Sequence, residues 1–294
     1  MSAPVFKGTY TAIVTPFTAD GAEVDYASLQ KLVDFQISHG VDGIVVCGST
    51  GEAVTLSDAE YKKVITSTIG FVKGRVPVVA GVGSSSTARA VEMASFVNGS
   101  GAQAILLVVP PYNKPTQDGI VAHFAEVKRH VSLPIIAYNV PGRTGLNMAP
   151  ETIAALAKQK LIVALKEANG SIMQVLDTVA LVGRNIDILS GEDALIHATM
   201  ASGGCGVISV ISNAWPAETV TITDTALRGD WEASLQAQLR MLPAVRAMFC
   251  ETNPIPVKAA LALRGVIAHP TLRLPLLSAQ PSTIARIELL LKDR

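Results

Sequence analysis

The chain has 294 residues, 24 basic and 24 acidic side chains, and an isoelectric point near 7.0. That balance offers no field to gather nucleic acid or anionic lipid, so an anionic ligand has to be met by local groups. Hydrophobic residues make up 49% and mean hydropathy is +0.38, yet the apolar runs are strand-sized, far short of the roughly 20 residues a membrane-spanning helix needs.

The opening segment, Met1 to Lys7, lacks a basic stretch followed by an apolar core, so no secretion signal is read and a cytoplasmic location is expected. The three cysteines, Cys47, Cys205 and Cys250, are odd in number and form no CxxC pair. They point to neither a zinc site nor a disulfide framework, and each is expected as a small buried hydrophobe. The candidate strands in chain order are Thr9–Thr15, Gly43–Cys47, Val76–Val82, Ala104–Val109, Pro134–Asn139, Leu161–Lys166, Asp187–Ser190 and Gly206–Val210. Their continuous apolar character predicts strands covered on both faces. Between them lie helical patterns with start signals. Ser57-Asp58-Ala59-Glu60 is a capping box, Ser86-Thr87 and Thr116 open the next two helices, and Pro150 suits a first turn.

Strict strand–helix alternation predicts parallel pairing with right-handed crossovers, and the number of units is the one that closes a (β/α)8 barrel, over residues 1–228. A doubly wound open sheet is the competing arrangement. From Asp230 onward only helical patterns are found, over Trp231–Phe249, Pro256–Ile267 and Ser282–Lys292, with no Gly/Ser-rich linker before them. Residues 229–294 are therefore expected as a helical appendage packed on the barrel.

Active sites of such barrels form at the C-terminal ends of the strands, so the residues there carry the functional reading. Lys166 closes the apolar run Leu161-Ile162-Val163-Ala164-Leu165. Poor solvation there disfavours the ammonium form, and a neutral amine can attack a carbonyl and hold it as a Schiff base. The bland alternative is a strand-end lysine reaching for water along its stem. Gly48-Ser49-Thr50-Gly51-Glu52, after the second strand, exposes backbone N–H groups and two hydroxyls in a tight turn that suits a carboxylate, or is an ordinary loop. After the fifth strand, Tyr138 offers a phenol for proton exchange and Arg143 a guanidinium fork matching a carboxylate, against the plainer readings of a core tyrosine and a solvated arginine. Gly191-Glu192-Asp193 follows the seventh strand, and the small residues of Gly206-Val207-Ile208-Ser209 let backbone approach a ligand. Together these groups suit imine chemistry on a 2-oxo acid. The five histidines lack HxH or HxxxH spacing, Gly81-Val82-Gly83 lacks the third glycine of a dinucleotide fingerprint, and no P-loop is present. No metal or organic cofactor is expected.

On Gly48–Glu52, Tyr138-Asn139-x-Pro141, Leu165-Lys166-Glu167 and the Asn253–Lys258 stretch, the chain resembles the pyruvate-dependent class I aldolases, the family of N-acetylneuraminate lyase, over nearly its whole length. Arg143, Asn253–Lys258 and Leu272-Arg273-Leu274-Pro275 favour the branch that condenses pyruvate with aspartate semialdehyde in lysine and diaminopimelate biosynthesis. The resemblance implies that Lys166 forms the imine with pyruvate and that Tyr138 donates and accepts protons. It implies that Thr50 bridges Tyr138 to Tyr112, the latter lent by a neighbouring subunit, and that Ser49 and Thr50 hold the pyruvate carboxylate. Arg143 would hold the semialdehyde carboxylate, the Ile208 backbone would face the imine, and Gly191 would line the substrate site. A homotetramer, a dimer of dimers, is implied as well. Ser49-Thr50 replaces the two threonines common in that branch and matches a version frequent among aldolases that cleave N-acetylneuraminate or 2-keto-3-deoxy sugar acids. Such an aldolase is the close alternative, and a catalytically inactive barrel retained as a binding protein is the alternative of another class. In lysine-inhibited relatives the positions of the effector pocket correspond to Ala53, Asp58, Tyr61, Ser85 and Arg89, with Pro111 in place of an aromatic residue. Repulsion by Arg89 implies weak inhibition or none.

Overall fold

A computed structural model describes residues 6–292. The elements run in chain order as β1 (Gly8–Ala12), α1 (Tyr26–Ser38), β2 (Gly43–Val46), α2 (Asp58–Val72), β3 (Val78–Val82), α3 (Thr87–Asn98), β4 (Ala104–Val108), α4 (Gln117–Arg129), β5 (Ile135–Asn139) and a one-turn α5 (Pro141–Thr144). There follow α6 (Pro150–Lys158), β6 (Ala164–Glu167), α7 (Ile172–Val182), β7 (Asp187–Ser190), α8 (Ile196–Ala201), β8 (Gly206–Ser209) and α9 (Pro216–Leu227). The chain ends in α10 (Trp231–Met248), α11 (Ile255–Leu263) and α12 (Pro281–Lys292).

All strand pairs are parallel and the sheet closes through β1 against β8 into an eight-stranded barrel, so the open-sheet alternative is excluded. The start signals work as read. Ser57 accepts from Glu60 N while the Glu60 carboxylate accepts from Ser57 N at 2.8 Å, Ser86 and Thr116 cap α3 and α4, and Pro150 sits in the first turn of α6.

The apolar strands feed two cores because alternate side chains point to opposite faces. Tyr10, Val45, Val79, Leu106, Ile136, Leu189 and Ile208 fill the barrel interior, while Ile44, Ala80, Ile105, Leu107, Leu165, Ile188 and Val207 pack outward beneath the helices. A face of solvent never appears, which is why the sequence shows no polar alternation. Closure at the β1/β8 seam has a specific requirement. A Cβ on Gly206 would lie 2.2 Å from the carbonyl oxygen of Gly8, so this glycine serves strand contact at the barrel floor. The expectation that the small residues of β8 admit a ligand does not hold for Gly206.

Boundaries differ by three residues or more at three places, each for a local reason. β1 stops at Ala12 rather than Thr15 because the Val14 N–H is taken by the Asn213 side chain at 3.1 Å. β6 starts late because the Leu161 N–H still closes α6, donating to Leu156 O at 3.0 Å, and it continues to Glu167. Lys166 is therefore inside the strand and not its last residue. α11 stops at Leu263, where the left-handed Gly265 (φ 65°) turns the chain. Residues 264–280 then run without helix, so the helical pattern expected to Ile267 ends four residues early.

α10 packs on α8 and α9, and α12 on α10 and α11. No helix among the described residues is long and apolar enough to cross a membrane. Of the cysteines, only Cys47 is buried; Cys205 is half-buried and Cys250 exposed. Cys250 departs from expectation because it follows the end of α10, where its Sγ turns back to Ala247 O.

Candidate active site

β5 and β6 pair with Tyr138 directly opposite Lys166. Directly paired residues of a parallel sheet share a face, here the barrel interior. The Lys166 Nζ stands 4.3 Å from the centre of the Tyr138 ring. Both side chains are buried, and among the described residues no acceptor lies within hydrogen-bond reach of the amine. Burial pushes the Lys166 pKa down to about 8; the Arg143 cation adds to this, and Asp193 and Glu192 oppose it. Burial pushes the Tyr138 phenol up to about 12, with Arg143 pulling the other way.

The second residues of the same two motifs explain why this pair is held in register. Asn139 and Glu167 point outward, and Asn139 Nδ2 donates to both Glu167 oxygens at 2.9 and 3.2 Å. Gln174 Nε2 from α7 and the Asn169 N–H complete the carboxylate's partners, each at 2.9 Å. Burial raises the Glu167 pKa to about 7 despite these donors. A buried, fully bonded network of this kind favours one arrangement of the strand ends.

The Gly48–Glu52 loop is a pair of tight turns. Gly51 N donates to Gly48 O and Glu52 N to Ser49 O, each at 3.1 Å, and both Cys47 (φ 55°) and Glu52 (φ 51°) lie in the left-handed region. The turn leaves Ser49 exposed and Thr50 buried. Their roles separate in a way the sequence did not show. The Ser49 hydroxyl lies near enough to the Tyr138 phenol to favour its charged form, whereas Thr50 Oγ1 accepts from Asn253 Nδ2 at 2.9 Å. That acceptance leaves the Thr50 proton and a second lone pair open, while no Tyr138–Thr50 hydrogen bond is present among the described residues.

Arg143 lies on α5 rather than in an open loop, since Pro141 starts a helical turn there. Its Nη2 donates to the Asn253 carbonyl at 2.9 Å, which leaves the rest of the fork facing the barrel mouth. Ile208 points into the barrel on β8, in register with Tyr10. The Gly191 N–H donates to Glu167 O at 2.6 Å, and a Cβ there would meet the Cβ of Ala168 at 2.6 Å. Close packing at the ends of β6 and β7 therefore already requires a glycine at this position. Tyr112 is not brought to the others. It is 91% exposed, with φ 74°, on the loop after β4.

A cavity of about 450 Å³ opens over this end of the barrel, lined by Ser49, Tyr138, Val140 and Arg143 and running on to Asp58, Tyr61 and Arg89. Lys166 is not among its lining residues, though Tyr138, whose ring centre is 4.3 Å from the amine, is one of them. The bare arginine expected at the far end is not bare. Arg89 pairs with Asp58 and, at 2.9 Å, with Glu92, and the Tyr61 hydroxyl donates to Gly81 O at 2.8 Å.

Sequence reasoning missed two groups. Asp193 is buried, accepts from Ser209 Oγ at 2.6 Å and from the Val210 and Ile211 N–H groups at 3.0 Å, and is a negative charge near Lys166. An acid following a strand-end glycine was the available signal. The other is Asn253, visible only as part of a stretch about 200 residues from the loop it touches. Among the described residues no cluster of three or more potential metal ligands occurs.

Comparison with known proteins identifies the family. The model of the dihydrodipicolinate synthetase family matches residues 5–294. The chain is 48% identical over 289 residues to 4-hydroxy-tetrahydrodipicolinate synthase of Geobacter sulfurreducens, covering 98% of this chain and 99% of that protein. Among solved structures it is similar to a monomeric dihydrodipicolinate synthase variant (TM-score 0.95, 40% identity, covering 98% and 96% of the two chains). It is likewise similar to the chloride-inhibited dihydrodipicolinate synthase of Acinetobacter baumannii in complex with pyruvate (TM-score 0.96, 37% identity, covering 98% and 99%). With a matching family model over almost every residue and a relative this similar along its full length, the chain belongs to the dihydrodipicolinate synthetase family.

Proposed function

We propose that this chain condenses pyruvate with L-aspartate 4-semialdehyde to 4-hydroxy-tetrahydrodipicolinate, in lysine and diaminopimelate biosynthesis, through an imine at Lys166. The observation that carries the reading is the buried Lys166 amine, free of hydrogen-bond acceptors and 4.3 Å from the Tyr138 ring. With a pKa near 8, about a tenth of the amine is neutral at pH 7, some three hundredfold more than for an ordinary lysine.

The neutral Nζ attacks C2 of pyruvate, and loss of water leaves the imine. Tyr138 supplies the proton that departs with that water and takes it back in the next steps. Loss of a proton from C3 gives the enamine, whose C3 attacks the aldehyde carbon of the second substrate. The amino group of that substrate then displaces Lys166 and closes the ring. The imine nitrogen is the electron sink throughout, so the reaction calls on no metal or organic cofactor. Ser49 and Thr50 at the loop tip are suited to the pyruvate carboxylate, and Arg143, with part of its fork unused, to the carboxylate of the semialdehyde. In the same reading the Ile208 backbone would face the imine and Gly191 would line the bound substrate.

The high exposure of Tyr112 in one chain supports its place at a contact between subunits, and the reading includes a homotetramer built of two dimers. A cytoplasmic location belongs with a biosynthetic role. The inactive-barrel alternative loses ground because lysine, tyrosine, both hydroxyls and arginine are all retained. Borohydride added with pyruvate should fix a stable adduct on Lys166. A mass shift that persists in Lys166→Ala would remove the imine from the mechanism. Turnover of N-acetylneuraminate but not of aspartate semialdehyde would favour the sugar-acid aldolase.

A further inference from the structure

Thr50 follows β2 and Arg143 follows β5, yet both are attached to one residue of the C-terminal region. Asn253 Nδ2 donates to Thr50 Oγ1 at 2.9 Å, and the Asn253 carbonyl accepts from Arg143 Nη2 at 2.9 Å. Asn253 and Thr50 are both buried, and Asn253 Oδ1 finds no partner. The Thr50 contact is thus the one hydrogen bond of this amide among the described residues. Five residues on, Lys258 grips the same loop from behind, with Nζ 2.5 Å from Glu52 Oε1 and neither side chain exposed.

The polarity of the Asn253–Thr50 bond matters. An amide nitrogen can only donate, whereas a hydroxyl has one proton and two lone pairs. Once Thr50 Oγ1 accepts from Asn253, its own proton is released from local bonding and can be given to a ligand's negative oxygen.

We propose that Asn253 is a positioning residue that makes Thr50 a committed donor toward the pyruvate carboxylate, while its backbone carbonyl separately steadies Arg143. This deepens the functional reading above and rests on it. The two attachments use different atoms, and a side-chain substitution removes one while sparing the other. That separability gives the test.

Asn253→Asp preserves shape but replaces the donor with an acceptor, so Thr50 must spend its proton on the new carboxylate. Steady-state kinetics should show KM for pyruvate raised and kcat lowered by about tenfold or more, the scale of one lost hydrogen bond to a charged group. KM for aspartate semialdehyde should stay within about twofold, because the carbonyl holding Arg143 survives. A loosened loop would instead disturb both substrates. In a Thr50→Val background, adding Asn253→Asp should cost no further activity, since the residue through which it acts is already silent. Should the buried carboxylate prevent folding, Asn253→Ala replaces it in the same cycle with the same expectations. Near-wild-type pyruvate kinetics in the variant, or losses that multiply with Thr50→Val, would overturn the proposal. The wild type run alongside separates the two levels. If it neither traps pyruvate nor condenses it, the functional reading fails; if it does both and Asn253→Asp matches it, this inference fails alone.

Discussion

The molecule buries two lysines in similar surroundings, and the proposed mechanism gives a reaction to Lys166 and a structural pairing to Lys258. Lys166 and Lys258 are both almost wholly enclosed. Each ammonium lies above an aromatic ring, Tyr138 at 4.3 Å and Phe17 at 4.1 Å, and burial lowers the pKa of each to about 8. The difference is in partners. Lys258 is 2.5 Å from the Glu52 carboxylate and donates to Thr271 O at 2.7 Å, while Arg273 N donates to the other Glu52 oxygen at 3.2 Å. Lys166 has charges nearby in Asp193 and Glu192 but no acceptor at bonding distance. A depressed pKa alone therefore does not mark a nucleophile. What distinguishes Lys166, the proposed nucleophile, is a lone pair that can be freed without breaking a bond.

The contrast can be broken from either side. Lys166→Ala should abolish condensation and pyruvate trapping while leaving the circular dichroism spectrum and melting temperature close to wild type. Lys166→Arg should do the same, since a guanidinium keeps its proton. Lys258→Met should do the reverse. It strands the Glu52 carboxylate in the interior, so unfolding by urea should register a loss of about 3–5 kcal/mol. Adding Glu52→Gln should recover part of that loss, and retention of full stability by the single variant would show the pair to be incidental.

Smaller effects sharpen the picture of the reactive lysine. Tyr138→Phe should fold normally and lose about a hundredfold in turnover, the size of one missing acid–base step. The rate of pyruvate adduct formation should also depend on pH with a definite sign. The ammonium cannot attack, so below a pKa near 8 the rate should fall about tenfold per pH unit, and above it the rate should level off. A profile still climbing at pH 10 would mean that Lys166 titrates as an ordinary surface lysine.

The weakest expected effect is that of free lysine. Arg89 is already paired with Asp58 and Glu92, and the Tyr61 hydroxyl with Gly81 O. The arm of the cavity they line offers an amino acid few uncommitted groups. A titration of the condensation rate with lysine should show no half-inhibition below about 1 mM, equivalent to roughly −4 kcal/mol. Inhibition in the micromolar range would mean that these pairs open for a ligand.

The barrel was legible because strands covered on both faces leave unbroken apolar runs, and because Ser57, Ser86 and Thr116 announce the helices between them. Lys166 and Tyr138 could be read as a pair since each interrupts such a run near its end, where polarity is costly without a purpose. Less was legible where distant segments meet. Nothing local to Asn253 shows that its amide will meet Thr50, 203 positions earlier, nor does Arg273 reveal that it will bind the Glu60 carboxylate through two nitrogens, at 2.6 and 2.9 Å. The non-helical course of residues 264–280 belongs to the same class. Its conformation is set by contacts with other segments, Arg273 Nε to Gly21 O and Lys258 Nζ to Thr271 O, and not by its own periodicity.

That long reach has a consequence for how the protein is made. Translation delivers Ser49, Thr50, Tyr138, Arg143 and Lys166 well before Asn253, Lys258 and Arg273 emerge. A nascent chain can thus hold every reactive side chain, and all eight strands, while the loop bearing Thr50 and Glu52 still lacks its late partners. A chain ending after the eighth strand would hold the barrel but lack Asn253, Lys258 and Arg273, the partners that fasten Thr50 and Glu52.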